Sequence, residues 1–139
     1  MDFSFTEDQV AIQGLARQII SDRATDDRVK QLWDDPHWYD DDLWQELAQA
    51  SLLGVALAEE FGGGGFGMTE LAALCEEAGR CIAPLPLLST LVMGALPIQE
   101  FGSEDQKRVL GDVAAGKAFL TAAFAELGHI DAARAQATA

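Results

Sequence analysis

The 139 residues predict an all-α fold, an orthogonal or up-down bundle of about five to six helices, and three observations carry that prediction. Capping boxes open two segments, Thr6 with Gln9 and Ser103 with Gln106. In each, the hydroxyl can accept from the amide three residues on, whose own side chain reaches back to the cap. Between these boxes apolar residues recur at intervals of three, four and seven, the period of one helix face. The pattern changes only after Gly116, where "KAFLTAAFAE" is short enough to begin a strand.

Behind Thr6, the stripe Ile12, Leu15, Ala16, Ile19 and Ile20 predicts a first helix with Gln13, Arg17 and Gln18 outward. Arg28, Val29, Gln31 and Leu32 give a short second helix that ends near Asp34 to Pro36. The next stretch, "DDPHWYDDDLW", invites a metal reading around His37 and Asp40 to Asp42. It lacks the glycine and terminal glutamate of a calcium loop, and three adjacent Asp cannot all face one ion, so no metal site is expected. One of these acids instead caps the helix of Leu43, Trp44, Leu47 and Ala48, and the others favour its positive end. Leu71, Leu74, Cys75 and Ala78 form a further stripe. From Cys81 to Gln99 no residue is charged, a length close to the ~20 residues of a membrane span. Pro84, Pro86 and Pro97, with Ser89, Thr90 and Gly94, fit a start cap and a late kink better than a span. A buried helix follows, with Leu88, Leu91, Val92, Ala95 and Leu96 on one side. Val109, Leu110 and Val113 complete the bundle behind Ser103.

Composition narrows the partners. The net charge of −14, from 23 acids against 9 bases, repels a phosphate backbone or an anionic membrane, so nucleic acid is excluded as a partner. Cys75 and Cys81 in a chain without a signal-peptide pattern read as two buried thiols of a reduced, cytoplasmic protein. His37 and His129 stand alone and receive no role. The run "EEFGGGGFG", Glu59 to Gly67, spaces Gly62, Gly64 and Gly67 as G-x-G-x-x-G only because four glycines are consecutive. Two glutamates precede it and no lysine follows, although "LGVALA" before it could form a short strand-like piece. A tight connection between two helices, not a phosphate cradle, is the expectation.

Three separated stretches share one likeness: "FSFTEDQ", "LWQELAQASLLGVALAEEFGGGGFGMTELAALCEEAGR" and "FGSEDQKRVLGDVAAGKAFLTAAFAE". In that order and spacing they resemble the N-terminal helical domain of the acyl-CoA dehydrogenase family, over nearly the whole chain. The resemblance implies that residues 1–116 are this helical domain and 117–139 the truncated beginning of a β domain. It implies FAD in the complete protein and oxidation of an acyl-CoA thioester to its 2,3-enoyl form, a carboxylate base removing the α-proton while the β-hydrogen leaves as hydride. That base belongs to the family's C-terminal domain. No catalytic residue is therefore expected here, and this segment alone is expected to be inactive and without stable flavin.

The resemblance also places the pocket-facing helix of the family on Leu85, Pro86, Ser89 and Met93, a wall suited to a bulky hydrophobic acyl group such as a fatty or sterol side chain. Positions 85, 89 and 93 share a helical face, so ordinary packing accounts for them equally well. Exposed on an isolated segment, the 84–98 helix would present an apolar patch that drives self-association. The flavin-facing strand departs from the family. Relatives typically read Thr-Glu-Pro and then a Gly-Ser-Asp turn, whereas "FAELGHID" puts Ala125 in the Thr place and Leu127 in the Pro place, without that turn. Phe124, Ala125 and Glu126 thus form a degenerate cofactor-binding run, and one lost neutral hydrogen bond costs on the order of 1 kcal/mol. Two readings stay open: a competent subunit, or a non-catalytic helical partner chain of a heteromeric bacterial member. A stand-alone acyl-binding bundle is a third. The partners implied are acyl-CoA, an electron-transfer flavoprotein or similar acceptor, and further dehydrogenase chains in a homo- or hetero-oligomer.

Overall fold

In the computed structural model, residues 4–37 and 39–123 are described. Their order is α1 (Glu7–Arg23), α2 (Asp26–Trp33), α3 (Asp41–Gln49), a single 3-10 turn (Glu59–Phe61), α4 (Met68–Arg80), a π-helix (Leu88–Ala95), α5 (Leu96–Phe101), α6 (Glu104–Lys107) and α7 (Val109–Ala114). The π-helix runs directly into α5, and only Arg108 separates α6 from α7. The chain therefore makes six helical rods among the described residues. No strand occurs among them, and residues 117–123 carry no regular secondary structure; the remainder of the expected β segment lies outside the described residues.

Both capping boxes form. The Thr6 hydroxyl accepts from the Gln9 amide at 3.2 Å and the Gln9 side chain accepts from the Thr6 amide at 3.0 Å, and Ser103 with Gln106 repeats the exchange at 3.3 and 2.8 Å. Thr25 caps α2 on its own. The aspartate that caps α3 is Asp40, whose carboxylate accepts from the Leu43 amide at 3.2 Å. The same buried carboxylate accepts a two-pronged bond from Arg28 at 2.8 and 2.9 Å, tying α2 to the start of α3. Arg28 holds the Asp40 carboxyl below the usual carboxylate range; burial opposes this and the cap bond assists it.

The core is a single apolar cluster around Ile20, Leu43, Trp44, Leu47, Leu53, Leu71, Leu74, Leu110 and Val113, all of them closed to solvent. Helix α1 packs chiefly along α4, and its Ala16 is fully buried in the core. Polar bolts join the two rods at both ends of the contact. Gln9 donates to Glu70 at 2.9 Å, and Arg17 forks onto buried Glu77 at 2.8 and 3.1 Å, with Arg80 adding a contact at 3.2 Å. Arg17 points outward as its position predicts, but its guanidinium folds over onto the neighbouring helix.

Several expectations are corrected. Leu15 is 42% exposed, because Ala16 and Ile20 take the centre of the α1 face. Cys75 and Cys81 are half-buried, not buried, and burial still pushes the Cys75 thiol up. Residues 52–57 form no strand-like piece: they turn repeatedly while burying Leu52, Leu53, Val55 and Leu57. The segment from Leu88 is wound as a π-helix before becoming α-helical, and Pro97 sits in the first turn of α5 at that junction. The buried face lies one residue earlier than the expected stripe, at the same spacing of three and four. Leu87, Thr90, Leu91, Gly94 and Ala95 face inward and Leu88 is 61% exposed. No helix among the described residues is long and apolar enough to cross a membrane.

Candidate functional site

The glycine run is the first place to look for an anion site, and its donors are already committed. The amides of Gly63, Gly64, Gly65 and Phe66 donate to the carbonyls of Ala58, Gly54, Leu57 and Val55 at 3.1, 2.9, 2.8 and 3.1 Å. Gly62 and Gly65 adopt positive φ, +76° and +68°, which only glycine takes without strain. At Gly63 a Cβ would collide with the Leu57 carbonyl. The run folds back on the turns of residues 54–58 and leaves no converging amides for phosphate, so it connects two helical parts of the chain as expected. Among the described residues no cluster of His, Cys, Asp or Glu is arranged to hold a metal.

A cavity of about 630 Å3 lies on the opposite element, the π-helix. Three pieces of chain surround it. The loop before α3 brings His37 and Tyr39, the 83–86 segment and π-helix bring one long wall, and the strap after α7 brings Phe119, Leu120 and Thr121. Each piece is fastened. The Asp40 amide donates to the Pro84 carbonyl at 3.0 Å, joining loop to wall. Gly116, at φ +72°, offers its carbonyl to both the Trp44 indole and the Gln45 side chain at 3.1 Å. Phe119 then lies 5.2 Å from the Tyr39 ring, edge-on at 65°, and 5.1 Å from Trp44. The Leu120 amide reaches the Thr90 hydroxyl at 3.4 Å, and Leu120 packs where a Cβ on Gly94 would stand.

Leu85, Pro86, Ser89 and Met93 all line this one cavity. All four are half-buried. The Ser89 hydroxyl donates to the Pro86 carbonyl at 3.2 Å, so this wall presents methyl, methylene and thioether surface with its polar atom occupied. A second, larger cavity of about 760 Å3 shares Ala83, Pro84, Leu85 and Leu88 but opens towards Trp33, Cys75 and Ile82, and of the four sequence candidates it touches only Leu85. His37, to which the sequence gives no role, borders the first cavity, its ring 3.3 Å from Asp35. Tyr39 and Phe119 were not legible as site residues, because what places them is contact between segments far apart in the chain. Phe124, Ala125, Glu126 and His129 lie outside the described residues. The glycine run supplies no cradle for the phosphates of FAD.

A family model described as "Acyl-CoA dehydrogenase, N-terminal domain" matches residues 6–117. The chain belongs to the acyl-CoA dehydrogenase family. Acyl-CoA dehydrogenase FadE27 of Mycobacterium tuberculosis is 32% identical over 131 residues, covering 93% of this chain and 35% of that protein. Among solved structures, a variant of the Tcur3481-Tcur3483 steroid ACAD is 47% identical with a TM-score of 0.84, over 88% of this chain and 34% of that one. The ChsE4-ChsE5 complex from Mycobacterium tuberculosis is 31% identical with a TM-score of 0.85, over 93% and 36%. This acyl-CoA dehydrogenase chain thus spans about a third of the length of these relatives, and its helical fold is the family's N-terminal domain.

Proposed function

We propose that this chain supplies the acyl-chain wall of a flavin-dependent acyl-CoA dehydrogenase that desaturates a thioester between its α and β carbons. The observation that supports the reading is the convergence of Leu85, Pro86, Ser89 and Met93 on one largely apolar cavity in a chain of this family. An apolar concavity with few free polar atoms is what binds a hydrocarbon group and excludes water from it. In this reading FAD, in the complete enzyme, accepts the β-hydrogen. The catalytic base comes from outside the residues of this chain, and Phe124, Ala125 and Glu126 are assigned to flavin binding from the sequence likeness alone. Acyl-CoA is the substrate, an electron-transfer flavoprotein or similar carrier takes the electrons, the enzyme is an oligomer of dehydrogenase chains, and it works in the cytoplasm.

A second reading has its own support. Two similar solved structures carry paired chain names, ChsE4-ChsE5 and Tcur3481-Tcur3483, and Ala125 offers no hydroxyl to a flavin. Here the chain belongs to a partner subunit whose flavin site is degenerate. Absorbance near the flavin bands, for the full-length gene product purified alone and then with a neighbouring dehydrogenase chain, separates the two. Colour in the lone product supports the competent subunit, and colour only in the pair supports the partner reading. The wall itself is tested in the flavin-loaded enzyme with Met93→Trp, which fills the cavity. KM for a bulky acyl-CoA should rise about tenfold or more while a short-chain thioester is unaffected. Equal effects on both would remove the assignment.

A further inference from the structure

Three of the four most exposed large apolar side chains among the described residues border one hollow: Trp33 at 81%, Ile82 at 77% and Leu88. This is the cavity of about 760 Å3, walled by α2, the end of α4 and the segment that leads into the π-helix. Ile82 stands there at a conformational cost. The Ala83 amide donates to the Ala78 carbonyl at 2.9 Å and the Ile82 amide to the Gly79 carbonyl at 3.2 Å, a closure of α4 whose left-handed position glycine normally fills. Ile82 holds that position at φ +51°, which a β-branched residue rarely adopts, and its side chain lies in solvent instead of the core. A strained isoleucine that buries nothing points to a surface with a use beyond folding.

Among the described residues the lining holds no charged side chain, and the Cys75 thiol is its one polar side-chain group. A small molecule is oriented by a few placed polar groups, so this hollow suits apolar side chains carried on a backbone that satisfies its own hydrogen bonds, as a helix does. Charge sets the sign of the partner. Leu32 borders both this hollow and a neighbouring recess of about 270 Å3 that Asp35, Asp41 and Asp42 line. From Asp26 to Asp42 the chain carries seven aspartates against Arg28 and Lys30, and Arg28 is committed to buried Asp40. A second copy on this face would set acid against acid, whereas lysine or arginine would be attracted to it.

We propose that the hollow between α2 and the end of α4 docks a basic amphipathic helix of another protein, Trp33, Ile82 and Leu88 gripping its apolar face while the aspartates beside them meet its lysines or arginines. The probe is a fluorescein-labelled, 18-residue helix of leucine and lysine with the leucines on one face. Its controls are the same helix with glutamate for lysine and a scrambled peptide of the same composition. Fluorescence anisotropy is read with the full-length gene product that contains this chain. The lysine helix should bind about tenfold tighter than either control, or better, and weaken as salt is added. Trp33→Ala should weaken it about tenfold or more, and Asp34→Asn with Asp41→Asn about threefold at low salt. Ile82→Gly separates docking from folding. Glycine relieves the left-handed backbone while removing the side chain, so affinity should fall about tenfold while the melting temperature holds or rises. Equal binding of the lysine helix and either control, or binding untouched by Trp33→Ala and Ile82→Gly, refutes the site. A melting temperature lowered by both substitutions would show that another part of the full-length protein covers the hollow, and a changed oligomeric state that a second copy does. Either result overturns the proposal.

Discussion

The glycine-rich connection and the π-helical wall look, in sequence, like each other's opposite. The first has the spacing of a ligand loop and the second has the composition of anonymous core, yet their structural roles are exchanged. Residues 63–66 give their amides to carbonyls of residues 54–58 and leave nothing to bind with. The segment from Leu85 to Met93 turns one side to the core and the other to a cavity. Availability of donors and surface, and not residue type, separates a site from a scaffold. The two regions should therefore respond differently to substitution.

The largest effect is expected in the loop. Gly63→Ala drives a methyl into the Leu57 carbonyl, backbone against backbone, and should lower the unfolding free energy by about 3 kcal/mol in denaturant titrations. A loss below about 1 kcal/mol would mean the connection yields, and the contrast with the wall would weaken. Gly94→Ala places its methyl against the Leu120 Cβ, beside a backbone held to Thr90 by one long hydrogen bond, so about 2 kcal/mol is expected. The near-ultraviolet signal of Trp44 should change with it as Phe119 is displaced.

Acid provides a finer probe of the fastening between loop and wall. Because Arg28 lowers the folded-state pKa of Asp40, this pair stabilises the fold above the ordinary carboxylate range, and that contribution is lost as pH falls through the lowered folded value. Asp40→Asn retains a helix cap but not the charge pairing, so its stability should be lower at neutral pH and converge with the native chain once pH has fallen below the lowered folded value. Parallel profiles would exclude the pair as a contributor. Smallest of all is Met93→Ala, half-buried on the cavity, for which a stability change within about 0.5–1 kcal/mol is expected alongside a measurable loss of acyl-CoA affinity in the flavin-loaded enzyme. A large destabilisation there would show that the residue is core after all.

How much of this could be read in advance follows from the range of each interaction. Caps act over three residues, so Thr6, Ser103 and the aspartate before Leu43 were legible. Helical stripes act over one or two turns, and they located the rods. Leu88 was misplaced because Leu87, Thr90, Leu91, Gly94 and Ala95 repeat the same spacing as the more apolar set of Leu88, Leu91, Val92, Ala95 and Leu96, and periodicity does not choose between two faces one residue apart. The family likeness carried Leu85, Pro86, Ser89 and Met93, and the structure places all four on one cavity. Tyr39 and Phe119 were beyond reach. They meet across 80 positions of chain, through a strap whose course depends on Gly116, and the buried Glu77 became intelligible only with Arg17 in view.

The strap has one more consequence. Residues 119–121 border the hollow and are also the way the chain leaves the bundle, moored at the Gly116 carbonyl by two donors from α3. Whatever fills the hollow must press on that exit, and whatever pulls on the exit must reshape the hollow. Occupancy and the course of residues 119–121 are thereby linked, with the mooring at a single glycine carbonyl.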